Sequence, residues 1–380
     1  MTRKTHFETL AIQSTEPSGD ETGSVANAIY PSTTFKREAD GSYESGFIYT
    51  RDNNPNRQLL EQSLVQLEDG QAAFTFASGM AAISAVLQTL KAGDHVLIPD
   101  DAYYSVHAAV KEVFTRWGLT HTLVDMTDMG AVQMAIQDNT TLIWLESPSN
   151  PLLKVSNIKA IAQLAHENHA LCVVDNTWCT PVLQRPLELG ADLVMYSTSK
   201  YFGGHSDCLS GALVIGKQVP GELVSQLKNI QKLSGAVPSP FDCWLITRGI
   251  KTLKLRLLKQ VENAKKLAEF LHNNQKVKAV HFPDLAHHPQ HQLAQVQMPA
   301  GCGAMLSIQV GDNQVEAMAI ISQLKLFTTA TSLGGVESLV EHRKSVEGDD
   351  SLTPGNLIRI SVGIEHIDDL IEDWLKALNS

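Results

Sequence analysis

A chain of 380 residues with 43% hydrophobic side chains is too long for one small core and predicts a large α/β enzyme of two or three compact units. A formal net charge of −11 excludes the clustered Lys and Arg surface that nucleic acid or an acidic membrane demands, so the expected partners are small molecules and copies of the chain itself. Ordinary Gly and Pro usage with 6% aromatics excludes collagen-like and disordered chains.

The opening MTRKTHFETL lacks the apolar core of a signal peptide, and no run nears the roughly 20 apolar residues that span a bilayer, so a cytoplasmic protein is expected. Residues 1–60 mix Ser, Thr, Gly and Pro with few periodic apolar positions and read as an extended arm that needs a surface to lie on. Residues 61–235 form the expected main domain. Its short, β-branched apolar runs HVLIP (95–99), LIWLE (142–146), LCVVD (171–175), DLVMY (192–196) and ALVIG (212–216) lack polar alternation, as strands covered on both faces do. Between them, Met80, Ile83, Leu87 and Leu90 form one helical stripe and Ile158, Ile161, Leu164 and Ala165 another. The pattern predicts a mostly parallel sheet with helices on both faces and ligands at the carboxyl ends of the strands. Residues 236–380, with the helical series Leu253, Leu257, Val261, Ala264, Leu267, Ala268 and Leu271 and the strand-like runs MLSIQV (305–310) and LIRISV (357–362), predict a smaller α+β domain.

Lys200 follows a buried strand and precedes a loop with Gly203, Gly204 and His205. A lysine there is expensive unless paired or reactive, and in a dry pocket its amine loses the proton readily and adds to an aldehyde. Asp175 ends the preceding apolar strand at the same sheet edge, where a carboxylate can keep a pyridine nitrogen protonated. Ser78, Gly79 and Met80 sit between AAFTFA and a helix, so their N–H groups offer a phosphate site, to which the Ser197 and Ser199 hydroxyls can add. Five cysteines, Cys172, Cys179, Cys208, Cys243 and Cys302, show no CxxC pairing, as reduced thiols would. His287, His288 and His291 lie in a Pro- and Gln-rich stretch without a further ligand type nearby; a solvated loop, with no metal, is expected.

Eight motifs occur in order: YTRDNNP (49–55), ASGMAA (77–82), DDAYYS (100–105), ESPSNP (146–151), VVDNTW (173–178), STSKYFGGHSD (197–207), SLGGVESL (332–339) and LIRISVGIE (357–365). With them the chain resembles, over nearly its whole length, the Cys/Met-metabolism family of pyridoxal 5′-phosphate (PLP)-dependent transsulfuration enzymes, most like its cystathionine γ-synthases and γ-lyases. The resemblance implies the type I fold of PLP-dependent transferases, like that of aspartate aminotransferase, with PLP carried on Lys200. It implies that Ser78, Gly79, Met80, Thr177, Ser197 and Ser199 contact the cofactor, and that Asp175 pairs with its ring nitrogen. Tyr103 would stack on the ring and exchange protons. Asn150, Ser332 and Arg359 would bind substrate, Arg359 gripping its carboxylate by a two-pronged bond. Tyr49 and Arg51 would bind the cofactor phosphate of a neighbouring subunit, implying a homotetramer built from dimers with shared sites.

Two positions depart from the family pattern. Ile48 and Thr331 stand where acidic residues commonly precede YxR and SLGG, and VEHRKSVEG follows where many relatives have a Thr-His or Ser-His pair. Glu341, His342 and Arg343 therefore either line the entrance or form a solvated charged loop. SLGGVESL and ESPSNPLLKV favour γ-replacement, joining cysteine to an O-acylhomoserine. Cleavage of cystathionine by a γ- or β-lyase is the alternative, and an aminotransferase of the same fold a remote one. Ser105 after the tyrosine pair, with no cysteine near, argues against a methionine γ-lyase.

Overall fold

The apolar runs of the first two thirds become one seven-stranded sheet: β1 (Ala72–Phe76), β2 (His95–Pro99), β3 (Thr120–Val124), β4 (Thr140–Glu146), β5 (Leu171–Asp175), β6 (Leu193–Tyr196) and β7 (Gly211–Ile215). The computed structural model describes residues 5–16, 23–348 and 351–380. The strand order is β1-β7-β6-β5-β4-β2-β3. Neighbours from β6 to β3 are parallel, whereas β7 runs antiparallel to both β6 and β1. The strands from β4 to β7 are almost wholly buried, which is why their sequences do not alternate. Edge strand β3, THTLV, is largely open to solvent and carries no such apolar run.

Helices cover both faces. The helix Gly79–Leu87 is capped by Ser78 Oγ, which accepts the Ala81 N–H, and Ile158–Glu167 by Asn157, which accepts from Ala160. The first helix stops short of the expected stripe: Leu90 lies beyond its end, only partly buried. Ahead of the sheet, helix Pro55–Glu68 starts on an Asn54 cap with Pro at N1 and packs on β1 and helix Pro240–Ile250. It buries Leu60, Leu64 and Leu67, each contributing about 1.5–3 kcal/mol of transfer free energy.

A second sheet contains β8 (Val277–His281), β9 (Met305–Val310), β10 (Thr328–Thr329), β11 (Leu339–His342) and β12 (Leu357–Ser361), in the order β10-β11-β12-β9-β8. The long helix Leu253–His272 buries Leu253, Leu257, Ala264, Leu267, Ala268 and Leu271, matching the helical series in the sequence. All five cysteines are free thiols, four of them buried. The histidine loop is not simply solvated. His288 is buried, its proton affinity pulled down to about 4 by burial and then by neighbouring histidines, and His287 stacks on His272 at 4.1 Å. Among the described residues no helix is long and apolar enough to cross a membrane.

Candidate active site

Strands β4, β5 and β6 end on one side of the sheet, and their last residues deliver Glu146, Asp175 and, one step on, Ser197 to a common floor. The helix Gly79–Leu87 reaches this floor because Gly211 opens β7 without a side chain. A Cβ there would lie 2.3 Å from the Ser78 carbonyl oxygen and 2.7 Å from the Gly79 Cα, so only glycine lets the helix N-terminus approach. Ser197 Oγ would in turn stand 3.1 Å from a Cβ on Gly79, which puts a hydroxyl beside the free N–H groups of the first helical turn.

Lys200 lies in the turn after β6. Its N–H donates to the Ser197 carbonyl at 3.1 Å, and the following Tyr201 and Phe202 are sunk in the core and hold the turn. Lys200 Nζ donates to Ser332 Oγ at 2.7 Å. Burial, and then the nearby positive charge of Arg359, lower the lysine pKa to about 8, with Glu341 opposing. Ser332 has φ +94°, a strained backbone for a non-glycine residue that aims its hydroxyl at the amine. Thr177 N–H donates to Asp175 Oδ1 at 3.0 Å, and Ser197 N–H to Thr177 Oγ1 at 2.9 Å. Ser199 Oγ donates to the Ser210 carbonyl at 3.0 Å and accepts the Ser210 N–H at 2.8 Å, tying the lysine turn to the start of β7.

Arg359, on β12, is buried and donates from Nη1 to Asn150 Oδ1 at 3.2 Å, and from Nη2 to the Ser332 carbonyl at 3.3 Å and to Glu341 Oε2 at 2.7 Å. Glu146 Oε2 accepts the Tyr103 N–H at 2.7 Å. Burial, and then the charge of Asp175, push the Glu146 carboxyl well above the ordinary carboxylate range, and burial raises Asp175 as well.

These groups surround one cavity of about 190 Å³. Ser78, Gly79, Met80, Ser197, Ser199 and Lys200 line one part of it, and Tyr103, Asp175 and Thr177 another. Asn150, Ser332 and Arg359 complete the wall on the side of the smaller sheet. Tyr49 and Arg51 do not line it. Both are partly exposed, and Arg51 Nη1 donates to the Lys232 carbonyl at 2.8 Å. Glu146 and Trp178 also line the cavity; both lie within the motifs ESPSNP and VVDNTW, where nothing in the sequence assigns them a role, although LIWLE and LCVVD both end in an acid at what proves to be the same register. Glu341, His342 and Arg343 are not a solvated loop: all three are buried at the end of β11 and the start of the next helix, and Arg343 lines the cavity.

A family model for Cys/Met metabolism PLP-dependent enzymes matches residues 8–379. The chain belongs to this family. Among its relatives, cystathionine gamma-synthase from Mycobacterium tuberculosis is 45% identical over 94% of this chain and 92% of its own. Cystathionine beta-lyase from Coxiella burnetii is 41% identical over 99% and 98%. The crystal structure of metB from Corynebacterium glutamicum superposes with a TM-score of 0.95 at 41% identity, covering 99% of this chain and 98% of that one. The protein is thus a PLP-dependent transsulfuration enzyme with the α/β fold of its family, and pyridoxal phosphate is its cofactor. The cavity fits that group: it presents an amine of lowered proton affinity, a buried carboxyl at the end of β5, and a helix N-terminus flanked by hydroxyls.

Proposed function

We propose that the chain joins cysteine to an O-acylhomoserine by γ-replacement, forming cystathionine. Pyridoxal phosphate, when bound, supplies an electron-accepting ring conjugated to the substrate α-carbon. In this reading Asp175 would keep the ring nitrogen protonated, Tyr103 would cover the ring, and Ser78, Gly79, Met80, Thr177, Ser197 and Ser199 would hold the cofactor. Arg359 and Asn150 orient the substrate carboxylate. Lys200 would hold the cofactor through its amine, and that amine, when free, would take and return protons at the substrate carbons.

The observation that carries the reading is the Lys200 amine, 2.7 Å from the Ser332 hydroxyl with a pKa near 8. Loss of a γ-substituent requires a proton from the α-carbon and then one from the β-carbon. A base whose pKa lies near ambient pH both takes and returns protons, whereas an ordinary lysine stays charged. The M. tuberculosis relative, named a gamma-synthase, favours this chemistry. The C. burnetii relative, named a beta-lyase, favours cleavage of cystathionine as the second reading.

Exposed Tyr49 and Arg51, away from their own cavity, support a role in a neighbour's site. So does Leu209, which lines the cavity and is 60% exposed. The proposed assembly is a homotetramer built from two dimers, each with shared sites.

Purified holoenzyme incubated with cysteine plus O-succinyl- or O-acetylhomoserine is expected to yield cystathionine by mass, with no product from Lys200→Ala. Pyruvate with homocysteine, or 2-oxobutyrate with cysteine, formed faster from cystathionine would replace synthesis by β- or γ-cleavage.

A further inference from the structure

Arg359 already holds a carboxylate. Glu341 and Arg359 are register partners on β11 and β12, and Glu341 Oε2 accepts hydrogen bonds from both Arg359 Nη2 and Arg343 Nη1 at 2.7 Å. Arg343 continues the chain, donating from Nε and Nη2 to Glu347 Oε1 at 3.1 and 2.6 Å. Glu347 Oε2 accepts from Ser351 and Thr353 hydroxyls at 2.5 and 2.6 Å. All four charged residues are buried, from 3% exposure for Arg343 to 7% for Glu347.

Two arginines and two glutamates balance. A substrate carboxylate arriving on Arg359 adds a fifth charge to a buried row, which is unfavourable while Glu341 keeps its hold on the same guanidinium. Glu341 has somewhere to withdraw, because Arg343 already grips the same oxygen and, by lining the cavity, lies beside the path.

We propose that Glu341 is an internal stand-in for the substrate carboxylate on Arg359, and that Arg343 is the receiver onto which it withdraws when an amino-acid substrate binds. The proposal rests on Arg359 being the carboxylate grip. It makes Glu341 and Arg343 positioning residues that set how strongly the site favours a ligand with an α-carboxylate over the same ligand without one.

The test uses holoenzyme and two probes, L-norleucine and L-norleucinol, identical except for the carboxylate, with affinities measured by calorimetry. Glu341→Gln removes the competitor and is expected to widen the preference for norleucine by about tenfold, one charge-assisted contact. Arg343→Met removes the receiver and narrows the preference, and Arg343→Lys restores part of it. A network that is merely structural loosens Arg359 in every variant, so a preference that narrows or stays unchanged in Glu341→Gln overturns the proposal. Should that variant not fold, Glu347→Gln, which leaves Arg343 freer to take Glu341, must widen the preference in its place, and failure to do so overturns the proposal equally. Equal affinity of the wild type for both probes would instead sink the carboxylate-grip reading of Arg359, and this inference with it.

Discussion

Glu146 and Asp175 end neighbouring parallel strands as register partners, two buried carboxyls on one cavity floor. Each holds its proton more tightly in the folded chain than in the unfolded one, chiefly through burial. Such a group has no effect below its unfolded pKa, 4.5 for Glu146, and weakens the fold as pH rises above it, because the unfolded chain then sheds protons the native state retains.

Cofactor-free Glu146→Gln is therefore expected to lose less stability than wild type between pH 5 and pH 8. The glutamine oxygen still accepts the Tyr103 N–H. Thermal melts at the two pH values decide this; equal pH dependence in both proteins would mean that Glu146 ionises as readily in the fold as out of it.

If Arg51 serves a neighbouring subunit, Lys200→Ala and Arg51→Ala each inactivate but complement one another. Equal mixing after dissociation and reassociation should restore about a quarter of wild-type activity, since half the dimers are mixed and each of those rebuilds one intact site. Two defects confined to the same chain's own site would give no recovery.

Gly334 in SLGG has φ +79°, and a Cβ there would stand 2.8 Å from the Tyr201 backbone nitrogen and 3.1 Å from the Lys200 carbonyl carbon. Gly334→Ala should destabilise the protein by about 1–3 kcal/mol and disturb the Lys200–Ser332 contact with it. A melt unchanged from wild type would show that the loop yields freely.

The parts of the fold legible in sequence are those where burial is two-sided. HVLIP, LCVVD and MLSIQV coincide with β2, β5 and β9, because strands covered on both faces need no polar residue. β3 escapes notice since an edge strand exposed to solvent carries no continuous apolar run. At the site, Lys200 and Asp175 stand out as charges after apolar runs. Glu341 and Arg343 read equally as entrance residues or as a solvated charge cluster, because one-dimensional spacing cannot reveal that β11 and β12 set Glu341 against Arg359. Burial of a charge depends on its partners, and those lie far along the chain.

The antiparallel course of β7 has a consequence for what the chain can tolerate. Tyr196 and Ala212 are paired across β6 and β7, so the segment carrying Lys200 leaves one strand and returns down its neighbour, clasped between Ser199 and Ser210. Both strands anchor the segment in the same layer, and only its second half, from His205 to Leu209, is largely exposed. Adding or deleting a single residue between Tyr196 and Lys200 would turn the lysine amine out of the cavity, so any variation in length belongs to the exposed stretch after Gly204.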